Sequence, residues 1–148
     1  MLAIAVIDFR SFTIPNSLNA VGLGLAFIHA AAQQPEAMLW AVAIAALRGI
    51  ALALVFLAIR VVYARLRGRH GLGLGDVKLA GVAGAWLDLL IMPIALELAA
   101  FAALIGYLAR QLFFRRSISA IHRVPFGFFF APAIWFCWIL QVTWSEPF

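Results

Sequence analysis

Apolar residues run through this chain in long stretches of helix length, broken by short polar segments, with no sustained alternation of strand type. Residues 1–7 are apolar, but as a helix they rise only roughly 10 Å, where a membrane span needs about 20 residues. They read as a short N-terminal helix stub that delivers Asp8 at its end. Residues 18–32 predict a span. Pro15 turns Ile14 away from helical angles ahead of it, and Asn16 or Ser17 is placed to cap it. After a polar turn at 33–36, residues 37–66 predict a helix longer than a ~30 Å hydrocarbon core. Its end must tilt or project, and it carries Arg60, Arg65, Arg67, Arg69 and His70. The glycine-rich stretch Gly71-Leu72-Gly73-Leu74-Gly75-Asp76 opens a further helix that runs to about Leu90. Asp88 and Pro93 mark a turn, residues 93–114 predict another span, and the last is opened by Val124-Pro125-Phe126-Gly127 and runs to Trp144. The fold class expected is all-α: a polytopic transmembrane helical bundle of about five full spans plus the stub, one membrane-embedded domain over residues 1–148.

Composition agrees. The chain is 66% hydrophobic and 11% charged, against about a quarter charged in a soluble domain, so the lipid bilayer is its expected surroundings. The net charge of +5 would suggest nucleic acid in a soluble protein. Here most arginines fall in the loops after Asp8, before Asp76 and before Pro125, while the intervening turns carry none. That one-sidedness sets topology, with the basic loops in the cytoplasm, and no nucleic-acid partner is expected. Trp40, Trp86 and Trp144 fall near the opposite ends, as an interfacial belt would place them. Residues 1–7 lack the basic start and small-residue cleavage site of a secretory signal. Cys137 has no partner for an internal disulfide, and His29, His70 and His122 are not at metal-ligand spacing. No metal and no organic cofactor is expected.

The topology puts Asp8 and Asp76 at the same membrane face, one ending a helix and the other beginning one. A carboxylate where a membrane helix meets its loop is costly and calls for a function. The glycines before Asp76 match neither G-x-G-x-x-G nor the P-loop pattern, and an acid at the helix start would repel phosphate. Two carboxyls at one level of the bilayer suit a different chemistry. The ionised one takes a proton from water, and the protonated one donates to a carbonyl oxygen or leaving amine. Like charges held close push the two ionisations apart. The helix N-terminus favours the ionised form of Asp76, but a coupled pair titrates as a unit, and the sequence leaves open which member holds the proton.

Asp8-Phe9-Arg10 with Ile14-Pro15-Asn16, then Gly73-Leu74-Gly75-Asp76-Val77-Lys78-Leu79 with Gly84-Ala85-Trp86-Leu87, then Pro125-Phe126-Gly127, together resemble the prepilin peptidase family, membrane aspartic proteases of the GxGD type. The likeness covers nearly the whole chain in order. It implies two catalytic aspartates, at Asp8 and Asp76, and cleavage of the basic leader from type IV prepilin-like or pseudopilin precursors at the cytoplasmic face of the bacterial inner membrane. Gly73, Gly75, Lys78, Pro15, Asn16, Pro125 and Gly127 are the residues expected to shape the site. Longer members carry an N-terminal domain with cysteine pairs and also methylate the product. No such pairs occur here, so methyltransferase activity is not expected. Phe128-Phe129-Phe130 stands where the family often continues with proline.

Other residues have plainer readings. Lys78 follows Asp76 by two positions, so it does not share its helix face, and a lysine reaching for headgroups accounts for it. Arg48 lies within a span and must pair or reach water, with Glu97 as the candidate partner. Gly22 with Ala26, and Gly81 with Ala85, read as small-residue packing faces. Two other functions fit an acid-bearing membrane bundle: an inactive scaffold or assembly protein of the same fold, and a small proton-coupled transporter. Relay acids of a transporter belong near mid-bilayer, whereas Asp8 and Asp76 read as interfacial.

Overall fold

The computed structural model describes residues 15–68, 72–114 and 126–144. They form five α-helices: α1 Asn16–Gln33, α2 Met38–Arg67, α3 Leu74–Trp86, α4 Met92–Phe114 and α5 Phe126–Trp144, with a 3-10 turn, Pro35–Ala37, before α2. The all-α membrane bundle is thus what the chain forms. Among the described residues, three segments have the length and apolarity to cross a membrane: Pro35–Arg67, Met92–Ala109 and Gly127–Trp144.

The helices differ in what surrounds them. α2 is 30 residues long, about 45 Å. It leaves the stripe Leu47, Ile50, Leu54 and Leu57 exposed, the face an apolar helix turns to lipid. It ends at Gly68, whose φ of 66° lets its N–H reach the Ala64 carbonyl at 2.9 Å. α3 is only 13 residues, about 20 Å, shorter than the hydrocarbon layer. Leu79, Ala80, Val82, Ala83 and Ala85 are all buried, the pattern of a helix enclosed on every side. It is the centre of the bundle: α1, α2 and α5 pack on it, and α4 packs chiefly on α5.

Glycines let α2 and α3 touch backbone to backbone. A Cβ on Gly84 would stand 2.6 Å from the Arg48 carbonyl oxygen and 2.9 Å from the Gly49 Cα. A Cβ on Gly49 would stand 2.7 Å from the Gly81 carbonyl oxygen and 3.6 Å from the Ala85 Cβ. The face carrying Gly81 and Ala85 is therefore a packing face, as expected, and Gly22 of α1 packs on α3 beside Val82. Phe56 of α2 and Phe130 of α5 stack at 5.9 Å, and both belong to the core with Val77 and Leu79.

The end of α3 remote from Asp76 corrects two expectations. α3 stops at Trp86, and Leu87 is extended, so the turn at Asp88 comes sooner than a helix to Leu90 would place it. Gly84 sits against Gly49, which brings Asp88 to the level of Arg48, about 15 Å along α2 from its Met38 end. Arg48 pairs there with Asp88 and not with Glu97, which is exposed on α4. The Asp88 N–H also donates to Gln141 Oε1 of α5 at 2.9 Å. Stability of Arg48→Ala and Asp88→Ala should therefore be non-additive, by on the order of 1 kcal/mol, while Arg48→Ala and Glu97→Ala add. Thermal unfolding of the singles and doubles in detergent reads this, and coupling to Glu97 instead would overturn the assignment.

Trp86 is a third correction. Trp40 and Trp144 are exposed, as a belt requires, but Trp86 turns inward. Its Nε1 donates to the Gly22 carbonyl at 2.9 Å, and its ring stacks on His29 at 5.4 Å and meets Trp138 edge-on at 5.3 Å. Trp138 Nε1 lies 3.3 Å from His29 Nε2. An indole N–H inside a bundle needs an acceptor, and the α1 backbone and His29 supply two.

Candidate functional site

Asp76 lies in the first turn of α3 and is half-buried. Its Oδ2 accepts the Gly73 N–H at 3.1 Å. This is the acidic half of a capping box, in which a carboxylate three residues into the helix reaches back to the N-cap backbone; Gly73 has no side chain to form the other half. The backbone of Gly73 is ordinary, with φ −73° and ψ 150°. A Cβ there would come within 3.1 Å of Asp76 Oδ2, so the carboxyl would have to give by a few tenths of an ångström. The tight turn expected of the alternating glycines is thus, at Gly73, a close approach of side chain to backbone. Gly75 follows in the same helical turn, half-buried.

Two long-range hydrogen bonds hold this turn. Lys78 Nζ donates to Asn16 Oδ1 at 2.7 Å. Lys78 therefore links the start of α3 to the start of α1, which gives it a protein partner in place of the headgroups expected for it. The same bond explains why Asn16 does not cap α1. The helix begins after Pro15 with no side-chain cap, because the Asn16 amide is engaged across the bundle. The second bond comes from α2, where Arg60 Nη1 donates to the Leu72 carbonyl at 2.7 Å. In the sequence Arg60 is one of the basic residues that set topology. It differs from Arg65 and Arg67 in being half-buried, a difference that sequence spacing does not reveal.

The structure thus joins Asn16, next to Pro15, with Lys78, and Gly73 with Asp76. Gly127 is buried in the first turn of α5. Asp8 and Pro125 lie outside the described residues. Asn19 adds a polar group to this end of α1. It is 94% buried on α1, one turn from Asn16, and neither atom of its amide has a hydrogen-bond partner among the described residues. An amide buried in that way costs about 1–3 kcal/mol. An asparagine within an apolar helix was the available signal. Among the described residues, no group of three His, Cys, Asp or Glu is placed to share a metal ion.

No curated protein and no solved structure matches the chain. The type IV leader peptidase family does, over residues 1–108, a stretch that holds Asp8, Asp76, Asn16, Arg60 and Lys78. With most of its length matched, and an all-α bundle built around the helix that Asp76 opens, the chain belongs to the type IV leader peptidase family.

Proposed function

We propose that this chain is a membrane aspartic endopeptidase that removes the basic leader from type IV prepilin-like or pseudopilin precursors, with Asp8 and Asp76 activating water at the cytoplasmic face of the bacterial inner membrane. The observation that carries the reading is the family match over the segment containing both aspartates. The setting of Asp76 supports it: a carboxyl at the mouth of a buried helix, held by a backbone N–H and flanked by the Lys78–Asn16 bond.

The chemistry balances with two carboxyls. One, ionised, takes a proton from water as the water oxygen attacks the scissile carbonyl, and the other gives its proton to the carbonyl oxygen. In the collapse of the tetrahedral diol the C–N bond breaks, the leaving amine takes the proton first removed from water, and one hydroxyl of the diol returns its proton to the carboxylate that had donated, so that both groups regain their starting states. The leader is basic and the neighbouring loops are basic too, so the acids provide the attraction for it.

The test is leader cleavage in membranes by the wild type, Asp8→Asn and Asp76→Asn, on a pilin-like precursor from the same genome. Cleavage by the wild type that both substitutions abolish supports the reading. Its absence from a well-folded wild type overturns it in favour of a scaffold of the same fold. A smaller effect is expected at the link between α1 and α3. Lys78→Met removes a charged hydrogen bond of a type that contributes about 1.5–3 kcal/mol, part of which is lost to solvent at this exposed position. It loosens the start of α1, and through Pro15 the segment that carries Asp8. Cleavage should fall by roughly tenfold with little change in melting temperature, and Asn16→Leu should add little to it. Full additivity of the two would show that the bond does not act in the site.

A further inference from the structure

Two of the hydrogen bonds around Asp76 meet on one peptide group. The oxygen that Arg60 holds, that of Leu72, and the N–H that Asp76 accepts, that of Gly73, are opposite ends of a single planar unit. A cation on the oxygen end polarises the unit and makes its N–H the stronger donor, because hydrogen bonds in series reinforce one another. The same contact fixes the plane. Turning the Leu72–Gly73 peptide over would break the Arg60 bond and point a carbonyl at a carboxylate. Arg60 is half-buried, so its field is screened less than those of Arg65 and Arg67, which are exposed at the end of α2.

We infer that Arg60 is a positioning residue that acts on Asp76 through the Leu72–Gly73 peptide, holding that carboxyl ionised and so making Asp76 the base of the pair and Asp8 the acid. The inference rests on the function proposed above and assigns the two roles the sequence leaves open. It adds to the effect of the α3 N-terminus, which favours a negative charge in the same turn. Among the described residues, the other groups at this end work in the same direction or not at all. Arg65, Arg67 and Tyr63 lie on α2 and Lys78 on α3 itself, while α1 from Asn16 to Ile28 has no titratable group and α5 from Gly127 to Trp144 has only Cys137. Asp8, Arg10, Arg69, His70, Arg115, Arg116, His122 and Arg123 lie outside the described residues.

The assignment fixes the direction of a pH effect. Loss of the Arg60 charge makes Asp76 easier to protonate, so the base form disappears at a higher pH, and the acid limb of the cleavage profile moves up. The experiment compares the wild type, Arg60→Gln and Arg60→Lys by the pH profile of precursor cleavage. It also follows the infrared band of protonated carboxyl groups during a pH titration, with the Asp76 contribution identified by its loss in Asp76→Asn. Arg60→Gln should raise both the acid limb and the Asp76 midpoint by a few tenths of a pH unit, less than the roughly 1–3 units of an opposite charge within about 4–6 Å, because Arg60 acts across the peptide. Arg60→Lys, which keeps the charge, should leave both near the wild-type values. An Arg60→Gln variant whose activity falls by the same factor at every pH, with the Asp76 midpoint unmoved, overturns the inference and makes Arg60 a structural residue. If the wild type cleaves no precursor, the proposed function fails, and the infrared midpoint alone then decides whether Arg60 controls the charge of Asp76.

Discussion

Asp76→Asn is expected to lower leader cleavage by about 10²–10⁴-fold, the range over which general acid–base catalysis contributes, while the protein melts at its wild-type temperature. The two halves of that result have different causes. The amide cannot take a proton from water, so the catalytic step is lost. Its oxygen can still accept the Gly73 N–H at the start of α3, so the helix keeps its cap. Asp8→Asn should be as severe, and the double substitution little worse than the more damaging single one, because two groups that act as a unit are lost together with either. Retention of near wild-type cleavage by folded Asp76→Asn would remove Asp76 from the chemistry.

The second large effect is on the fold. Gly84→Leu should prevent α3 from seating against α2 and leave little folded protein in the membrane. Even the first carbon of that side chain would stand 2.6 Å from the Arg48 carbonyl oxygen and 2.9 Å from the Gly49 Cα. These are backbone atoms of a long helix and cannot rotate away. Overpacking of a core by a methylene or two costs about 1–3 kcal/mol, and a whole leucine at a backbone contact costs more. Separation of the helices would also take Asp88 from Arg48. Gly24→Ala is the control. A Cβ there meets nothing within 4 Å, so relief of helical glycine should leave stability equal or raised by about 0.5–1 kcal/mol. Folded Gly84→Leu with a wild-type melting temperature would show that α2 and α3 are not in this contact.

The sequence by itself determined the class of the protein. Helix-length apolar runs and few charges lead to an all-α membrane bundle, because a chain in lipid must satisfy its backbone internally. Element order was legible for the same reason, and so was the Gly81–Ala85 packing face, since small residues four apart share one side of a helix. The stretch around Asp76 stood out because a carboxylate and alternating glycines are unusual beside a span.

Partnership was decided only in three dimensions. Glu97 and Asp88 are equally acidic in the sequence, and the early end of α3 together with the close contact of Gly49 with Gly84 gave Arg48 to Asp88. Lys78 and Asn16 are 62 residues apart, and Arg60 was one arginine among several until the bundle left it half-buried over the Leu72 carbonyl. Periodicity reports which face of a helix is apolar. The depth at which helices lie against one another comes from the contact of their surfaces, and that depth is what brings Arg60, Asn16 and Lys78 to the turn that carries Asp76.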